Sequence, residues 1–121
     1  MKKKNTLLEI VVAACEDRKA DNCVALDMQR LTPMTDYYVI CNGNNERQVQ
    51  AIARAVKEAA EANQFEVKRT EGFNQARWIL LDLGDVVCHI FHKDERHYYN
   101  LERLWGDAEQ IHIGDSTQDD L

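Results

Sequence analysis

The sequence predicts a single α/β domain. Three observations carry this. The chain has 121 residues, 45% hydrophobic and 30% charged, with one proline and five glycines, a soluble globular profile long enough to bury one core. Two stretches repeat apolar residues at helical spacing. Between and after them lie runs rich in β-branched and aromatic residues. There are no internal repeats and no linker, and the predicted order is α-β-β-α-β-β-β-α.

The first helix starts at the capping box Thr6-Leu7-Leu8-Glu9, where Thr6 can accept from an early N–H and Glu9 reaches back. Leu8, Val11, Val12 and Cys15 form its buried stripe, and EDRKAD ends it near Lys19. CVALDM (23–28) and YYVICN (37–42) are strands, joined by a loop holding Pro33. Asn42-Gly43-Asn44 turns into the second helix, with Asn45 as N-cap and Gln48 three residues on. Val49, Ile52, Ala53, Val56, Ala59 and Ala60 are its buried stripe, ending near Asn63. FEVK (65–68) is expected as a short edge strand and EGFNQA (71–76) as a turn. RWILLDL (77–83) and VVCHIFH (86–92) are the two strongest strands, and a last helix runs from Asp94 to Trp105. The domain is taken as residues 1–110, with 111–121 a flexible acidic tail.

Gly84-Asp85 separates the two strong strands by two residues, and glycine first suits a type II′ hairpin turn. The register then pairs Leu83 with Val86, Asp82 with Val87, Leu81 with Cys88, Leu80 with His89, Ile79 with Ile90 and Trp78 with Phe91. Opposed residues share a face. One face, Ile79, Leu81, Leu83, Val86, Cys88 and Ile90, is wholly apolar and belongs under the helices. The other mixes Trp78, Leu80, Asp82, Val87, His89 and Phe91. Either a third helix or a dimer partner covers it, or it is a protein-docking surface built on large aromatics.

Reaction chemistry finds little support. Asp82 lies on a strand and Asp85 in the turn, so they do not converge. Cys88 and His89 are strand neighbours on opposite faces and cannot form a nucleophile–base pair. His89, His92, His97 and Cys88 lack the spacing of a metal site. CNGNNE (41–46) lacks the glycines and lysine of a phosphate-binding loop. The four cysteines, Cys15, Cys23, Cys41 and Cys88, contain no CxxC and read as reduced core thiols of a cytoplasmic protein. MKKKNTLLEIVVAAC is no signal peptide, because Glu9 interrupts it and Glu16-Asp17 stand where a cleavage site belongs. No segment approaches the roughly 18 apolar residues of a membrane helix. A net charge of -6, with Lys2-Lys3-Lys4 the only dense basic run, argues against nucleic acid gripped through phosphates and suits a basic protein partner.

From residue 71 onward the chain resembles the ribosomal silencing factor (Iojap-like) family. The resemblance rests on Glu71-Gly72, Trp78, Leu81-Asp82-Leu83-Gly84-Asp85-Val86-Val87, His89, and Arg96-x-x-Tyr99-x-Leu101-Glu102-x-Leu104-Trp105. Ala25-Leu26-Asp27, Asp36-Tyr37-Tyr38-Val39-Ile40-Cys41 and Gln48-Val49-x-Ala51-Ile52-Ala53 extend it over about residues 6–110. It implies a mixed sheet with helices mainly on one side, nucleotidyltransferase-like without the catalytic motif: Gly43-Asn44 replaces the Gly-Ser turn, and no D-x-D follows. It also implies a non-enzymatic protein without cofactor or metal. Such a protein binds large-subunit ribosomal protein fourteen at the intersubunit face, blocks subunit joining and represses translation when nutrients are scarce. The binding residues expected are Trp78, Leu80, Asp82, His89, Phe91, Arg96 and Tyr99, and the same patch could support a homodimer. A homodimeric adaptor unrelated to ribosomes and a vestigial nucleotidyltransferase are the alternatives.

Overall fold

In the computed structural model, residues 2–95 and 109–111 are described, with side chains from Thr6 onward. The elements are α1 (Lys2–Asp17), β1 (Asp21–Asp27), β2 (Tyr37–Gly43), α2 (Glu46–Ala62), β3 (Arg69–Glu71), β4 (Trp78–Asp82), β5 (Val86–His92) and β6 (Glu109–Ile111). They build one six-stranded sheet in the order β3-β4-β5-β2-β1-β6. Among the described residues only β2 and β5 pair in parallel; the other neighbours are antiparallel.

The parallel pair sits at the centre, and its sequences explain why. Strands buried on both faces carry near-continuous apolar runs. Val39 to Gly43 and Cys88 to His92 are all buried. The Asp85 carbonyl accepts from the Asp36 and Tyr37 amides, 3.0 Å each, which ties the hairpin turn to the start of β2.

Both α1 and α2 lie on one face of the sheet. Leu7, Leu8, Val11, Val12 and Cys15 of α1 and Val49, Ile52, Ala53, Val56 and Ala60 of α2 share one core with Val39, Cys41, Ile79, Leu81, Leu83, Val86, Cys88 and Ile90. The opposite face has its own smaller cluster of Leu26, Met28, Ile40 and Phe91, flanked by Val24 and Tyr38. The mixed sheet, with α1 and α2 on one side, fits the predicted architecture of helices mainly on one side.

The helix signals are followed at α2 and not at α1. Asn45 caps α2, its side chain accepting from the Gln48 amide at 2.8 Å. Gln48 also clamps the neighbourhood: its Oε1 accepts from the Asn44 amide, and its Nε2 donates to the Arg18 and Lys19 carbonyls. α1 begins at Lys2, so Thr6 lies inside the helix rather than capping it. Lysine is a good helix former and nothing in residues 2–5 stops a helix, so the local capping signal is overridden. Its end is set by Lys19, which takes φ 62.

Two further expectations are corrected. The short strand falls on Arg69–Glu71, not on 65–68. Phe65 and Val67 are drawn against the main core, and pairing with β4 starts only where Arg69 meets Asp82. The sixth strand, β6, was not predicted. Its three residues pair with β1, Ala25 opposite Ile111, so Ile111 belongs to the sheet rather than to a tail. Residues 93–95 are helical, at the expected start of the last helix; its remainder to Trp105, and residues 112–121, lie outside the described residues.

Candidate protein-docking face

The β4–β5 register is the predicted one, pairing Trp78 with Phe91, Ile79 with Ile90, Leu80 with His89, Leu81 with Cys88 and Asp82 with Val87. Leu83 N–H donates to the Val86 carbonyl at 2.9 Å. Gly84 takes φ +91, a conformation open to glycine. The Asp82 carboxylate accepts from the Gly84 amide at 2.9 Å, so this half-buried side chain caps the turn as well as edging the face. Asp85 is exposed in the turn.

Alternation puts Trp78, Leu80 and Asp82 on the side away from α1 and α2, beside Val87, His89 and Phe91. The parallel pairing of β2 adds what the hairpin alone does not reveal: Tyr38 lies opposite Val87, and Ile40 opposite His89. Trp78, His89, Phe91 and Tyr38 form one aromatic group. Trp78 and Phe91 have ring centroids 4.8 Å apart, and Tyr38 meets His89 edge-on at 4.7 Å. The Trp78 indole N–H donates to His89 Nδ1 at 3.1 Å.

Exposure divides the group into two layers. Phe91 is 0% exposed and His89 4%, so in the free chain they support the surface from beneath. Trp78 is 37% exposed, and Leu80, Asp82, Val87 and Tyr38 are half-buried. An exposed indole held from below by a hydrogen bond and a packed ring is rigid, amphipathic and costs little entropy to dock, the character of an interface anchor. Arg96 and Tyr99 lie outside the described residues. Tyr38 was missed by sequence reasoning, since no local signal shows that β2 will neighbour β5.

Burial pushes the His89 imidazole down to about 4. Charging it would place a cation among rings and remove the acceptor for Trp78, so it is held neutral with its hydrogen on Nε2. Burial also raises the Tyr38 hydroxyl, with the Asp82 charge adding to it.

The arrangement offers no acid–base pair. Cys88 points into the helix-side core and His89 to the opposite face. None of the four cysteines is in a disulfide; Cys15 and Cys41 approach to 3.8 Å between sulfurs. Among the described residues no group of His, Cys, Asp or Glu is placed to hold a metal ion, and no helix is long and apolar enough to cross a membrane.

Comparison with known proteins bears on the family and the fold. The family model described as "Ribosomal silencing factor during starvation" matches residues 1–120. The ribosomal silencing factor RsfS of Bacillus subtilis is 56% identical over 105 residues, 87% of this chain and 89% of that protein. A crystal structure from Bacillus halodurans superposes with a TM-score of 0.81 at 50% identity, covering 90% of this chain and 99% of that one. A Chromobacterium violaceum structure gives a TM-score of 0.82 at 29% identity, covering 91% of each chain. With sequence, register and fold in agreement, this chain belongs to the ribosomal silencing factor family.

Proposed function

We propose that this protein binds the large ribosomal subunit through large-subunit ribosomal protein fourteen at the intersubunit face. Seated there, it keeps the small subunit from joining and so lowers translation under nutrient limitation. The single observation carrying this reading is Trp78, exposed on the face opposite α1 and α2 yet locked by His89 and Phe91. Leu80, Asp82, Val87 and Tyr38 surround it, and His89 and Phe91 act from beneath as its support. The net charge of -6 favours encounter with a basic ribosomal protein. Family membership and relatives named as ribosomal silencing factors support a cytoplasmic ribosome-binding factor over an enzyme.

Co-sedimentation with purified large subunits tests it. Wild type should pellet with them, and Trp78→Ala, shown folded by circular dichroism, should bind at least about 30-fold more weakly, as expected for a central aromatic anchor. Equal binding by the two proteins would overturn the assignment of the site. Failure of wild type to pellet, together with a dimer that Trp78→Ala dissociates, would favour the homodimeric adaptor instead.

A further inference from the structure

A second concave feature lies on the helix side of the sheet, on the face opposite Trp78. A cavity of about 230 Å³ opens between α2 and the β3–β4 edge, lined by Ala53, Arg54, Lys57, Thr70, Phe73 and Leu81. Its floor is apolar: Ala53 and Leu81 are 2% and 1% exposed. Arg54 and Lys57 stand three residues apart on α2 and so share one side of the helix. Both are exposed, as is Thr70 on β3. The Arg54 guanidinium sits 5.5 Å from the centre of the Phe73 ring, which holds it at the mouth.

The wall is built rather than loose. Gln50 Nε2 donates to the Phe73 carbonyl at 2.9 Å, and the Ala76 amide donates to the Gly72 carbonyl at 3.0 Å. Two basic side chains meet at the mouth. The chain has 21 acidic and 15 basic residues, and Arg18, Arg69 and Arg77 are each paired with a carboxylate. Among the described residues Arg54 and Lys57 have no such partner. That is true also of Lys19, Arg30, Arg47, Lys68 and Lys93, but Arg54 and Lys57 stand side by side over an apolar hollow. Glu71 on β3 is taken by Arg69 at 3.1 Å.

Two adjacent cations over an apolar, aromatic-walled hollow suit a ligand that is planar at one end and anionic at the other. We propose that this cavity binds a small aryl phosphate. Its ring rests against Phe73, Ala53 and Leu81. Its phosphate is held by Arg54 and Lys57, with the Thr70 hydroxyl as a further donor. Two cations match a dianion better than a carboxylate. The volume is roughly that of eight waters in the liquid, room for one ring and its phosphate but not for a dinucleotide.

The test is an NMR titration of the full chain with phenyl phosphate, alongside phenol and inorganic phosphate. Phenyl phosphate should shift Ala53, Thr70, Phe73 and Leu81 selectively and bind at least about tenfold tighter than either half alone. Arg54→Gln with Lys57→Gln should weaken it about tenfold or more while leaving the unfolding midpoint unchanged. Phe73→Leu should weaken it while keeping the apolar wall. The proposal is overturned by equal affinity for inorganic phosphate or phenol, by shifts scattered over other basic residues, by no shift at about 20 mM ligand, or by a double variant that binds as wild type does.

Discussion

Acidification should weaken this protein through His89 in particular. The imidazole is 4% exposed, flanked by Tyr38, Trp78 and Phe91, and accepts the Trp78 indole N–H. Burial, the larger influence, lowers it from 6.5 to about 4, against a smaller opposing effect of Cys41. The unfolded chain therefore takes up a proton near pH 6.5 that the folded chain refuses until about 4. The stabilising contribution is complete above 6.5, falls away as pH drops through the window between the two values, and is gone below the lower one. Between about pH 7.5 and 5 the loss is about 2 kcal/mol from this residue. Urea unfolding of wild type and His89→Gln at both pH values measures it. Glutamine does not titrate, so the variant should lose about 2 kcal/mol less than wild type over the same interval, whatever its stability at neutral pH. Equal pH-dependent losses in the two proteins would refute the claim that His89 is held neutral by burial.

Three further outcomes are expected. Gln48→Ala removes the bonds to Asn44, Arg18 and Lys19 and should cost about 1 kcal/mol, read as a fall in Tm of roughly 5 °C. Gly72→Ala forces a side chain onto φ +79 and into the Trp78 carbonyl oxygen; a loss of about 2–4 kcal/mol by urea unfolding is expected, and near-neutrality would contradict the described loop. The thiols should resist modification. Hydrogen bonds to Cys23, Cys41 and Cys88, with burial, raise Cys15. For Cys23 the hydrogen bond from Cys15 acts downward but is outweighed by Cys41 and burial, leaving it at about 12. An aromatic disulfide reagent at about pH 8 should therefore react slowly with the native protein and rapidly with all four thiols in urea.

How much of this was legible beforehand depended on the range of the interactions involved. The Gly84-Asp85 hairpin was readable because a two-residue turn and strand alternation are local; together they separated Cys88 from His89 and paired Trp78 with Phe91. The Asn45 cap was readable for the same reason. The Thr6 cap failed because the preceding lysines are themselves helix formers. β6 escaped notice because three residues show no period, and Glu109–Ile111 becomes a strand only against the edge of β1. FEVK misled because Phe65 and Val67 answer to the core rather than to the sheet.

By itself, then, the sequence determined the α/β class, the hairpin register and the side of the sheet on which each of Trp78, Asp82, Cys88 and His89 would lie. Those follow from periodicities and turn geometry within a few residues. Only the tertiary structure decided that β2 lies beside β5 and brings in Tyr38, that Phe91 and His89 are buried while Trp78 remains exposed, and that Arg54 and Lys57 stand over a hollow at the β3 edge. Burial and contact between distant segments depend on how strands order themselves in the sheet, and strand order is a property of the whole chain.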